Sequence, residues 1–181
     1  MLIGLIIVIF IVAVIVGIMK DSSASKKAKK NLLDQITKDD RLKDAKLFEG
    51  YTGYFIAVSK TGYIVLKTPD MESSKIVFIN DINGFELVKD GISNSANAGS
   101  AIVGGLLFGG IGALIGGIGS SKSAISSLSF IFKLNDFDMP SIEIKFITSK
   151  MNTDSILYEP IMKTVNEVAG LLSFLEREYK C

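Results

Sequence analysis

Carboxylates, lysines, tyrosines and hydroxyls must carry any acid–base or nucleophilic chemistry in this chain. Its 181 residues include no histidine and a single cysteine, Cys181. That inventory excludes a His–Cys zinc site, a Ser-His-Asp triad, a Cys-His dyad and an intrachain disulfide framework. Asp136 and Asp138 have the spacing of paired carboxylates, but with Pro140 they sit in a stretch whose composition is that of a turn. Asp39-Asp40 falls in a charged, solvated segment. A phosphate-binding loop needs a lysine directly after its closing glycine, and Gly119-Ser120-Ser121-Lys122-Ser123 interposes serine. The G-x-G pieces do not lead from a strand into a βαβ unit, so no dinucleotide site is expected. No catalytic residue, cofactor or metal site is therefore assigned from the sequence, and Cys181 lies in no C-a-a-X box.

Two other patterns point to contacts instead. Residues 91–121 carry no charge, and within them Ala101, Gly105, Gly109, Ala113, Gly117 and Ser121 recur every fourth position. Gly112, Gly116 and Ser120 form a second row. Small residues at this spacing let helices approach closely in a membrane, where packing drives association. Gly105, Gly109, Gly112, Ala113, Gly116 and Gly117 are thus the candidate membrane or self-association residues. The second pattern is a cluster of lysines, Lys20, Lys26, Lys27, Lys29 and Lys30, opposed within 1–30 by Asp21 alone. The remaining 15 basic and 18 acidic residues leave 31–181 at −3, so the overall +1 conceals a basic front. Without interleaved aromatics the cluster reads as a headgroup-binding patch and not as a nucleic-acid site.

The elements that position these residues follow from hydropathy. The mean hydropathy of +0.40 exceeds what a soluble domain needs, and much of the excess lies in the uncharged residues 1–19. As a helix this segment is about 28 Å long, close to a ~30 Å hydrocarbon core. A signal peptide is the competitor, but no basic residue precedes the apolar run, so an uncleaved anchor is favoured. With no cysteine after it, it is not a lipoprotein signal. The lysines behind it place the C-terminal side in the cytoplasm and the N-terminus outside. Residues 20–45 read as a juxtamembrane helical spacer with a short stripe of Leu32, Leu33 and Ile36.

From Phe48 the pattern turns to β. Tyr54–Ser59 and Tyr63–Lys67 flank a hairpin signal, Lys60-Thr61-Gly62. Lys75–Asn80 follows, then a turn at Asp81–Gly84 into Phe85–Lys89. Leu128–Leu134 and Ile142–Phe146 alternate with period two. Tyr51, Tyr54, Phe55 and Tyr63 are expected on strands. Ile161, Val165, Val168, Leu172 and Leu175 share one helical stripe, with Pro160 in the first turn and Thr153, Asp154 or Ser155 as caps. Those spacings favour packing on the chain's own sheet over a coiled coil.

About six strands and one helix suggest a small β-sandwich or open barrel plugged by that helix. The domain then spans 46–181, with 91–122 as a glycine-rich insert. A single crossing by that insert would separate strands that need one another, so a helical hairpin bent near Gly109-Gly110 is favoured. The GYIVLKT strand, the IVFINDINGFEL segment and the terminal helix resemble bacterial pleckstrin-homology-like (PH-like) domains, over about Phe48 to Glu178. The insert GGLLFGGIGALIGG resembles glycine-rich hairpins that interrupt some of these proteins. The resemblance implies a mostly β fold with a C-terminal helix, a binding or assembly role, and no catalytic residue.

Taken together, the expectation is a single-pass protein of a bacterial cell membrane that forms homo-oligomers and binds an unidentified protein or lipid, with no nucleic-acid partner. The alternatives are an oligomeric effector or pore, in stress response or phage defence, and an enzyme whose carboxylate or lysine site assembles only in three dimensions. The orientation is testable. With Cys181 removed, a cysteine placed beside Lys27 should resist an impermeant thiol reagent in intact cells. Labelling there at the rate seen after lysis reverses the topology.

Overall fold

The computed structural model describes residues 23–94 and 124–180. The chain opens with helix α1 over 23–38 and a 3-10 turn at Asp40–Leu42. An antiparallel meander follows: β1 (Lys46–Glu49), β2 (Phe55–Val58), β3 (Tyr63–Lys67) and β4 (Lys75–Phe78). A second four-stranded sheet has the order β6-β5-β8-β9, from β5 (Ile82–Lys89), β6 (Ile92–Asn94), β8 (Leu128–Leu134) and β9 (Ser141–Ile147). Two short strands, β7 (Ala124–Ile125) and β10 (Met151–Asn152), pair with each other, and helix α2 (Tyr158–Tyr179) ends the fold.

Alternation explains the core. Phe130, Phe132 and Leu134 on β8, with Ile142, Ile144 and Phe146 on β9, all point inward. Phe85, Phe130, Phe132 and Phe146 meet with ring centroids 5.9–6.3 Å apart, a spacing that contributes beyond area burial. Helix α2 closes this core with Val165, Val168, Leu172 and Leu175, each at most 1% exposed. Met162 is buried as well, whereas Ile161 is only partly so. The expected cap does not form. Leu157 occupies the N-cap position without a side-chain bond, and Ser155 Oγ, two residues earlier, accepts from the Leu157 amide at 3.4 Å. The backbone turn that joins the Ser155 carbonyl to the Tyr158 amide moves the helix start past all three candidates.

Two glycines are fixed by their surroundings. A Cβ on Gly50 would collide with the Lys145 carbonyl, where the Tyr51 amide bonds that same oxygen at 2.6 Å and ties the first sheet to β9. Gly62 has φ +89° in the β2–β3 turn, and a Cβ there would meet Phe78 at 2.6 Å.

Several expectations are corrected. The strand expected after an Asp81–Gly84 turn begins at Ile82, because Ile79–Asp81 makes the turn as a 3-10 helix and a bulge between Ile82 and Gly84 absorbs the change of sheet. Tyr51 and Tyr54 lie in the β1–β2 loop and not on strands, and Tyr51 is 47% exposed. Residues 91–94, expected within the insert, belong to the hairpin of β5 and β6.

Helix α1, expected as a spacer, is part of the domain. Leu32 and Ile36 are buried with Leu42, Phe55, Ala57 and Val65 in a second cluster on the outer face of the meander. Strand β2 is consequently buried at all four positions, Phe55–Val58, instead of alternating. The linker after α1 is held by polar contacts: Ser59 Oγ, fully buried, lies 2.9 Å from the Arg41 carbonyl and 2.5 Å from Asp44 Oδ1. The Arg41 guanidinium stacks 5.0 Å from the Tyr63 ring.

Among the described residues no helix is long and apolar enough to cross a membrane. The expected anchor at 1–19 and the helical hairpin at 101–119 lie outside them.

Docking makes a prediction. Leu32→Ala should cost about 2–4 kcal/mol, because it removes a fully packed side chain. Its half-exposed neighbour, Leu33→Ala, should cost no more than about 0.5 kcal/mol. Denaturant unfolding of the detergent-solubilised chain checks this, and equal small effects would mean that α1 is a free spacer after all.

Candidate functional site

The glycine-rich segment is bracketed by β6 and β7, and β6 shares a sheet with the β8 that follows. Strand β5 pairs with β8 from Ile82↔Leu134 to Lys89↔Leu128, and so lies between the strand after the segment, β8, and the strand before it, β6, with which it forms a hairpin. Between them Asp90 and Gly91 form the two-residue loop of the β5–β6 hairpin, with φ +51° and +78°. Positive φ at both central residues is what a type I′ turn needs, and Asp-Gly is among its preferred pairs. Asp90 also fastens the returning chain: its Oδ1 accepts from the Ser126 amide at 2.5 Å and the Ser127 amide at 3.0 Å, while its own amide donates to the Ser127 carbonyl. The sequence carried this signal as Asp90-Gly91, but reading residues 91–121 as one uncharged block hid it.

Around this base the same end of the molecule gathers further elements. Strand β7, where the chain returns, pairs with β10 through Met151↔Ile125 and Asn152↔Ala124. Residues 153–157 then lead into α2, whose first residue, Tyr158, has its phenol pushed up by burial and by the nearby Asp90 charge. A groove of about 380 Å³ separates the β1–β2 loop from the start of α2, with Tyr51, Met151, Leu157 and Ile161 on its walls. A second groove, of about 760 Å³, runs between Ala24–Lys26 of α1 and the same loop, and reaches Lys67 and Pro69.

The predicted headgroup lysines divide accordingly. Lys26, Lys27 and Lys30 are exposed on the side of α1 turned away from Leu32. Lys29, at the border of the docked face, pairs with Glu49 at 2.7 Å. Lys20 and the small residues Gly105, Gly109, Gly112, Ala113, Gly116 and Gly117 lie outside the described residues.

The carboxylates support turns and ion pairs. Asp136 Oδ1 accepts from the Asp138 and Met139 amides at 3.0 Å. Its charge pairs with Lys75 at 2.5 Å, and that ammonium, followed by the Met139 amide, holds the carboxyl below its usual range. Asp39 is held down by Arg41, and Asp70 by the Thr68 hydroxyl. A general acid needs the opposite displacement. Among the described residues no three acidic or thiol side chains converge as metal ligands would.

Two antiparallel sheets around one core, closed at one side by a single C-terminal helix, define a PH-like domain of mixed α and β structure. The sequence profile of the family described as "Glycine zipper containing PH domain" matches residues 43–148, more than half of the chain, and the chain belongs to that family. No curated protein and no solved structure matches it.

Asp90 is the residue to change. Asp90→Ala should lose about 1–2 kcal/mol, since it removes two hydrogen bonds and puts alanine at positive φ. Asp90→Asn keeps an acceptor and tolerates that φ, so it should unfold near the wild-type midpoint. Equal losses in the two variants would mean that the carboxylate charge, and not the turn, closes the base.

Proposed function

We propose that this chain is a non-enzymatic binding and assembly module of a bacterial cell membrane. It is tethered by residues 1–19 with its PH-like domain in the cytoplasm, and it self-associates through Gly105, Gly109, Gly112, Ala113, Gly116 and Gly117. The observation that carries this reading is the pairing of Lys89 with Leu128 across the intervening segment. Because β6, β5 and β8 are consecutive strands of one sheet, the described chain on either side of 95–123 is held by the domain itself, which supports contacts outside the fold as the role of that segment. The same pairing keeps both ends of the segment on one side of any bilayer, which favours a hairpin over a single crossing. Two helical arms of about a dozen residues would each reach about 18 Å, roughly half a bilayer. Membership of a family defined by a glycine zipper supports packing between small residues as the purpose of the segment. The depressed acids at Asp39, Asp70 and Asp136 support structural and not catalytic roles for these groups.

The test is the mass of the detergent-solubilised chain beside that of Gly105→Leu/Gly109→Leu/Gly117→Leu. Wild-type oligomers that are lost in the variant support the zipper. A monomer in both removes self-association and leaves a tethered binding domain.

A further inference from the structure

We infer that the end of the domain bearing Tyr51, Ile156 and Leu157 rests on the lipid headgroup layer, so that the domain is seated on the bilayer instead of swinging from its tether. This rests on the membrane-tethered reading above. Ile156 is 89% exposed, Leu157 59% and Tyr51 47%, which makes this the densest group of exposed large apolar side chains among the described residues. Tyr51 and Leu157 face one another across a groove, and Ile156 adjoins Leu157.

Where the rest of the chain departs identifies the occupant. Residues 23–26 begin α1 beside the β1–β2 loop that holds Tyr51. Strand β7, which resumes the chain after the glycine-rich segment, is paired to β10 a few residues before Ile156. The apolar N-terminal stretch and the returning end of the glycine-rich one therefore both lead to this end of the domain. Only residues 20–22 separate the apolar run from the described helix, and three residues span at most about 10 Å. A tether that short brings Tyr51 to the bilayer surface. Charge agrees: Lys26, Lys27 and Lys30 point away from the domain beside this surface, toward where anionic headgroups would lie. Asp154 and Glu159 flank the apolar pair and are exposed, which sets the contact at headgroup depth and keeps it out of the hydrocarbon. Phe137, fully exposed in the β8–β9 loop at the opposite end of the second sheet, has no such neighbours and serves as the internal control.

The experiment uses the full chain with Cys181→Ser, reconstituted in vesicles of phosphatidylcholine and phosphatidylglycerol. Single cysteines at Ile156→Cys, Phe137→Cys and Val8→Cys carry an environment-sensitive fluorophore, and quenching is read with lipids spin-labelled in the headgroup or acyl chain. The expected result is a several-fold loss of the Ile156 signal to the headgroup label, little loss at Phe137, and loss at Val8 to the acyl-chain label. Adding Tyr51→Glu/Leu157→Glu to the Ile156-labelled chain should abolish its quenching with an unchanged circular dichroism spectrum. Quenching at Val8 with none at Ile156 overturns the seating and leaves the tether. No quenching at Val8 overturns the tether and the seating with it. A blue-shifted but unquenched Ile156 label means that protein, a second copy or another partner, covers this surface, and it overturns the lipid assignment.

Discussion

The pairing of β5 with β8 is the constraint on which the rest of the fold depends. It joins residues 39 to 52 positions apart around a segment that is apolar or glycine throughout 101–119. The entropy of closing a loop grows only slowly with its length, so a long excursion is tolerated if the two strands recognise each other well. Here they do. Phe85 meets both Phe130 and Phe132, and the ladder runs the whole length of both strands. Asp90 then fixes where the ladder stops, by turning β5 back into β6 while its carboxylate holds the amides of the incoming chain. Without that stop, the register of β8 would depend on an uncharged, glycine-rich stretch, which specifies register poorly.

A second constraint is the two-sided burial of the meander. A small antiparallel sheet ordinarily keeps one face wet, and its strands alternate. Strands β2 and β3 read FIAV and YIVLK, near-continuous apolar runs of the kind found where both faces are covered. The main core covers one face with Ile56, Ile64 and Leu66, and α1 covers the other with Leu32 and Ile36 over Phe55, Ala57 and Val65. The charges of the helix read as those of a solvated spacer, because only two or three apolar residues mark its inner stripe. The information that it docks lies in the strands it covers.

This separates what the sequence makes legible from what it does not. Period-two segments such as Leu128–Leu134 and the 3.6-period stripe of α2 are local patterns, and both elements are where the pattern puts them. The short strands β1, β6, β7 and β10 are two to four residues long, too short for periodicity to register. They exist because a partner strand is already in place. The Thr153–Ser155 cap signal fails for the same reason: a tertiary pairing of β10 with β7 sets the path of the chain, and the helix starts where that path allows. Of the candidate site, the lysines on α1 can be placed. Asp90, which organises the insert's base, was missed because its Asp-Gly signal sits at the border of a compositional block.

The docked helix also changes what a tether does. A basic segment on a flexible spacer adds affinity for an anionic surface but imposes no orientation on the domain behind it. In this chain α1 is packed along its length by Leu32 and Ile36, with the exposed Lys29–Glu49 pair near its middle. At its C-terminal end Ser59 and Thr61 bond the Arg41 carbonyl just past it. Any force that orients the helix therefore orients both sheets. The uneven charge, basic before residue 30 and net acidic after it, then acts as a dipole attached to a rigid body. Under the membrane-tethered reading an anionic surface draws the basic end toward itself and repels the remainder.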